Sequence, residues 1–192
     1  MTLRLPFWPL CAAVFAVAAV AAPPARAQTS YRIDPATSQI VYSMSHPTHR
    51  WSGTSRSVSG VLAATGTALT GGRVQAPVRS FDSGVGARDR NMARETEADR
   101  YPAVTFEARS VTMLPAAQQT AARNATVRGV LTFHGVARPV TVPVRADVSG
   151  GRARLTGSFE VTLTEFGLAR PSLLGIRSRD WIALRLDLTA RS

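Results

Sequence analysis

Along most of this chain the apolar residues recur at every second position, and that period lets a polypeptide bury them only as strands with one dry face and one wet face. Ile40, Tyr42 and Met44 fall on one phase. Val104, Phe106 and Ala108 alternate with Thr105, Glu107 and Arg109. Val127, Gly129, Leu131 and Phe133 enclose Arg128 and Thr132, and Val140, Val142, Val144, Ala146 and Val148 make the longest run. Leu155, Gly157, Phe159, Val161 and Leu163 follow, and Ile182, Leu184, Leu186 and Leu188 close the chain. One-sided strands of this kind belong to antiparallel sheet, because parallel strands are covered on both faces and read as continuous apolar runs.

Turn residues punctuate the runs. Thr70-Gly71-Gly72, His134-Gly135 and Ser149-Gly150-Gly151 read as hairpin breaks, and Pro115 to Asn124 reads as a polar, alanine-rich loop. One helix is expected over Arg88 to Ala98, with Asp89 near its start and Pro102 opening the strand beyond it. No linker, repeat or second compositional regime interrupts the chain. About eight antiparallel strands with one short helix make the chain all-β and suggest a sandwich or a closed barrel, between which the periodicity does not choose. A barrel of that size has an interior that side chains fill or that holds one small ligand. Ala63, Ala76, Ala108, Gly129, Ala146 and Gly157 read as inward-facing. Small residues there either leave room or ease packing where the barrel tapers, and composition alone does not decide.

The first residues read as an export signal rather than as part of the fold. Arg4 precedes an apolar run from Leu10 to Ala22, and Ala25-Arg26-Ala27 presents small residues where a signal peptidase reads them. The expected division is a signal peptide over 1–27 and a single domain over 28–192, with periplasmic or secreted localisation. The run is shorter than the roughly 20 residues that a membrane-spanning helix needs. Cys11 is the only cysteine and lies inside this segment, so the exported domain holds no disulfide, thiolate nucleophile or cysteine metal site.

The net charge is +11, and all 23 basic residues are arginine. They stand singly between apolar residues, with no basic run and no interleaved aromatics, which reads as a solvated surface rather than a nucleic-acid face. No Gly-x-Ser-x-Gly elbow, dinucleotide fingerprint or phosphate loop occurs. His46 and His49 lie three apart, so in one strand they face opposite sides and meet only if Pro47 turns the chain back. With His134 they are the only histidines, and a divalent metal site normally wants three or four ligands brought together, so neither a metal nor a cofactor is expected. Enzyme chemistry is not expected either. One dense polar stretch, Ser80 to Gly84 followed by Arg88-Asp89-Arg90-Asn91-Met92, reads as a capped helix fixed against the barrel.

Several segments in series resemble the YceI-like proteins, a lipocalin-like bacterial family. They are Tyr31-Arg32-Ile33-Asp34-Pro35 with Ser38, Val58-Ser59-Gly60, Arg88-Asp89 within Ser80 to Met92, and Tyr101 through Phe106. The stretch GVLTFHGVARPVTV from Gly129 to Val142 and the Phe166-Gly167-Leu168 turn complete the match. The sequence departs from the family pattern at Asn91, where a histidine often follows the Arg-Asp pair.

The resemblance implies the fold, an all-β, antiparallel, lipocalin-like barrel of about eight strands with one short helix, and an internal tunnel that binds, transports or stores a polyisoprenoid or quinone-like lipid in the periplasm. Transient membrane-surface contact is an expectation as well, nucleic acid is not, and the oligomeric state is left open. For such a ligand the alternation names the wall: Ile40, Tyr42, Met44, Val74, Val104, Phe106, Leu131, Phe133, Val142, Phe159, Leu163, Leu184 and Leu186. Arg170, beside the Phe166-Gly167 turn, is the expected contact for an anionic head group. Two competing readings are a stress-related periplasmic interaction module with a filled core, and an enzyme acting on an isoprenoid diphosphate held by arginines.

Overall fold

A computed structural model describes residues 27–115, 122–173 and 175–192. The expected signal peptide lies outside the described residues except for Ala27.

Twelve strands are present: β1 (Gln28–Ile33), β2 (Gln39–Ser45), β3 (Arg50–Ser55), β4 (Ser59–Thr65), β5 (Ala68–Pro77), β6 (Ala103–Met113), β7 (Ala122–Phe133), β8 (Val136–Ser149), β9 (Arg152–Thr162), β10 (Ser172–Leu173), β11 (Ile176–Arg177) and β12 (Trp181–Arg191). One α-helix, α1 (Gly86–Glu95), interrupts them. Strands β1, β4, β5, β6, β7, β8, β9 and β12 pair in that order, and β12 returns to β1, closing an antiparallel barrel of eight strands. The all-β, lipocalin-like barrel with one short helix is therefore the fold.

The wall forks at β12. Its last two residues pair with Arg32 and Ile33 of β1, whereas Ala183 to Asp187 pair with Ser43 to Gln39 of β2, which carries β3 outside it. Between the two partners, Ser38 turns the chain, and its Oγ donates to the Thr189 carbonyl (3.2 Å) and accepts from the Thr189 N–H (3.0 Å). A side chain thus satisfies the backbone where no strand lies alongside. β3 ends the upper wall, and a single bridge, Thr54 to Asp82 (2.9 and 3.1 Å), ties it to the segment that leads into α1.

Four sequence expectations are corrected. The turn before β5 falls at Gly66, with φ of 60°, and Gly71 and Gly72 lie inside β5. A register shift between Ala63 and Ala64 absorbs the extra residue, and a β-carbon on Gly72 would meet the Val61 carbonyl oxygen at 2.8 Å. Gly72 serves close strand approach, and neither glycine makes the reversal. The same stretch corrects Ala63, which faces outward while Leu62 and Ala64 are buried. The helix spans Gly86–Glu95 rather than Arg88 to Ala98. Thr96 Oγ1 donates back to the Met92 carbonyl (2.7 Å), and Glu97 adopts a left-handed conformation with φ of 46°, which ends the helix. Of the expected loop after Pro115, residues 116–121 lie outside the described residues, and Ala122 to Asn124 already belong to β7.

Candidate functional site

The lower end of the barrel is packed shut. Tyr31, Ile33, Ala64, Ala125, Ala146, Val148, Ala153 and Ala190 meet there, each at most 6% exposed, and none of them lines the cavity above. Alanine at this taper lets opposite walls touch.

Above this plug the walls part around a cavity of about 500 Å³, within the usual range for small-molecule sites. Its deep part is walled by Leu62, Leu69, Val127, Val142, Val144, Leu155 and Leu188. Ile40, Val74, Phe106, Phe159, Leu184 and Leu186 continue the wall upward. Glycine shapes it at two places. The Tyr42 ring lies over its cross-strand partner Gly53, where a β-carbon would fall 2.8 Å from Tyr42 Cζ. Phe106 covers Gly129 in the same way. Burial, helped by the nearby Asp89 carboxylate and opposed by Arg88, pushes the Tyr42 hydroxyl up to about 12, so the wall carries a neutral phenol.

Polar side chains gather at the other end, which is the mouth. The β2–β3 hairpin turns through Pro47, with His46 and His49 exchanging backbone hydrogen bonds (2.8 and 3.3 Å). The two rings therefore meet, centroids 5.3 Å apart, and His49 lies 5.2 Å from Trp51. The Arg88 guanidinium caps the row 6.0 Å from the Trp51 ring. His46 Nδ1 accepts from the Thr48 N–H (3.3 Å), and its Nε2 faces the Ile176 carbonyl (3.0 Å), which holds the ring in place. Helix α1 supplies Arg88, Asn91, Met92 and Glu95 to the rim, and the stretch after Gly167 supplies Leu168, Ala169, Pro171 and Ser172. Asp89 holds the helix in place: its carboxylate accepts the Ser83 N–H at 3.2 and 3.3 Å. Among the described residues no group of three or more side chains could hold a metal ion.

A YceI-like domain matches residues 31–190, nearly the whole described chain. The chain belongs to the YceI-like family. The YceI-like barrel is a non-catalytic lipid-binding fold, and the cavity described above is where this member keeps its open space. Solved structures with the same fold include BcnA of Burkholderia cenocepacia, 22% identical, TM-score 0.69, covering 82% of this chain and 99% of that one. A polyisoprenoid binding domain from Saccharophagus degradans, implicated in plant cell wall breakdown, is 14% identical, TM-score 0.66, covering 84% and 98%. The YCEI protein of Campylobacter jejuni is 16% identical, TM-score 0.55, covering 70% and 81%. No curated protein matches the chain.

In this YceI-like barrel the thirteen apolar residues named from the alternation, Ile40 through Leu186, all stand on the cavity wall. Arg170 does not. Its Nε donates to the Ser178 carbonyl (2.8 Å) and a second guanidinium nitrogen joins it there, so this side chain braces the 168–178 loop. Arg88 occupies the place at the mouth that the sequence reading gave to Arg170, and Asn91 stands beside it on the rim. Trp51, Phe81, Met92, His46 and His49 are lining residues that the alternation does not reach, because they sit on turns, on a short strand and on the helix. Leu62 was hidden by its neighbours: Val61-Leu62-Ala63-Ala64 is apolar throughout and carries no phase.

Proposed function

We propose that this protein is exported, loses residues 1–27, and binds an isoprenoid-type lipid for transport or storage, the tail in the cavity and the head group at the mouth. One observation carries the reading: an apolar space of about 500 Å³ whose polar lining is confined to one end. Each methylene withdrawn from water contributes about 0.8 kcal/mol, so an extended hydrocarbon gains most from such a wall and asks little of hydrogen bonds. The plugged lower end makes the site one-ended, which orients a ligand with a polar head. Arg88, Asn91 and the His49–Trp51 pair are the groups offered to that head, suited to an anionic or a flat carbonyl-bearing group. The polyisoprenoid binding domain of Saccharophagus degradans, which shares the fold, is a further support for the isoprenoid class. The open cavity also favours binding over a filled-core interaction module.

The test is extraction of the purified, exported protein with organic solvent, followed by mass spectrometry. A single prenyl lipid near one equivalent is expected. Protein that carries none, and that takes up neither ubiquinone nor a polyprenyl phosphate offered in excess, would remove the reading. Sequencing the exported protein from its N-terminus should begin at Gln28; an intact Met1 would refute the cleavage.

A further inference from the structure

Arginines that stand apart in the sequence are brought into line by strand register. Arg152 of β9 is the cross-strand partner of Arg191 of β12, and Arg191 is the partner of Arg32 of β1. The same row continues through Val61 of β4 to Arg73 of β5. All five side chains point outward and are exposed. With neighbouring strands about 4.8 Å apart, the row crosses roughly 19 Å of the outer wall.

Like charges directly opposite each other weaken a sheet, and here the usual relief is missing. The Asp34 carboxylate reaches Arg191 alone, at 3.5 Å. Glu107, next along the row after Arg73, is turned to Arg109 at 3.4 Å. Among the described residues Arg32, Arg73 and Arg152 make no ion pair. The contrast is Arg154, one step along β9, whose guanidinium grips Asp187 with two hydrogen bonds (3.1 and 2.9 Å).

We infer that this row is a docking surface for an anionic phospholipid bilayer. Guanidinium groups match phosphate oxygens in a two-pronged geometry, and a line of them meets a plane of phosphates at several points together. Val61, 41% exposed in the middle of the row, adds an apolar contact that a headgroup layer accepts and a soluble polyanion does not use. The inference stands on register and charge, independent of what occupies the cavity.

The experiment is flotation of the purified protein with vesicles of equal parts phosphatidylglycerol and phosphatidylcholine, against phosphatidylcholine alone and against immobilised heparin. R32Q/R73Q/R152Q is compared with R128Q/R145Q/R185Q, which removes the same charge at arginines whose cross-strand partners are uncharged. At low salt the row variant should bind the anionic vesicles about 100-fold more weakly, roughly fivefold per guanidinium, and the second variant should stay within about fivefold of the parent. The row variant should melt no lower than the parent, which separates lost docking from lost folding. Equal losses in the two variants would reduce the effect to net charge and overturn the inference. So would a parent that binds heparin and ignores the vesicles. Lipid extraction from the row variant keeps the two readings distinct, because its cavity is untouched.

Discussion

The ring of Phe106 rests on Gly129 across the β6–β7 pair, so closely that a β-carbon on Gly129 would fall 2.5 Å from Phe106 Cζ. Gly129 is thus the floor that lets an aromatic side chain lie along the wall. Gly129→Ala should cost about 1–3 kcal/mol through overpacking. Gly71→Ala, where nothing lies within 4 Å of the added carbon, should be neutral. Urea unfolding of the two variants checks the contrast.

Ala108 lines the cavity on the same strand pair. Ala108→Trp should fill the space and remove bound lipid while the protein stays folded. Ala76→Trp, nearer the mouth, is the companion variant. A folded Ala108→Trp protein that copurifies with the parent's full lipid load would count against a tail at this depth.

Arg88 and Asp89, adjacent in sequence, should separate in their effects. The Asp89 carboxylate accepts the Ser83 N–H, so Asp89→Ala should lower stability by about 1–3 kcal/mol. Arg88 makes no ion pair among the described residues and caps the Trp51 ring, so Arg88→Ala should leave the melting temperature nearly unchanged and weaken binding of a polyprenyl phosphate. Calorimetry on both variants, with and without that lipid, reads the two effects apart.

Tyr42 gives a pH signature. Burial, with Asp89 and against Arg88, raises its hydroxyl from 10.0 to about 12, which favours the neutral form in the folded protein. Its contribution to stability is complete below pH 10 and is lost as pH rises through about 12. Tyr42→Phe cannot lose it. The stability of the parent should therefore fall more steeply than that of Tyr42→Phe in denaturation series across this alkaline window.

Where the alternation is strict, the sequence carries the wall. Leu131 and Phe133 on β7, and Leu184 and Leu186 on β12, face the cavity, and polar residues on the opposite face, Thr132 between the first pair and Arg185 between the second, fix the phase. Where both neighbours are apolar, as around Leu62 and Ala63, phase is lost, and where a bulge inserts a residue, as on β5 between Leu69 and Gly71, it inverts. The mouth was less legible for a different reason. Trp51, His49 and Arg88 come together through a Pro47 turn and a helix packed across the opening, and no local period records such a meeting. Arg170 beside a conspicuous turn drew attention, but a nearby carbonyl had already claimed its guanidinium. The arginine row was invisible in the chain for the opposite cause: residues as distant as Arg32 and Arg191 become neighbours only when the barrel closes.

The fork at β12 gives the barrel two kinds of wall. Below it, β12 closes directly on β1 through the pairs Arg191–Arg32 and Ala190–Ile33. Above it, β3 is fastened to the helix-bearing segment by the two backbone hydrogen bonds between Thr54 and Asp82 and by the Ser55 Oγ–Ser80 Oγ contact (2.7 Å). The upper half is a coat with two buttons side by side. When both part, the wall can open there, and the amides of Thr54 and Asp82 should exchange with solvent well before those of Leu184 or Leu186. A long flexible molecule could then be laid in from the side instead of being threaded end first.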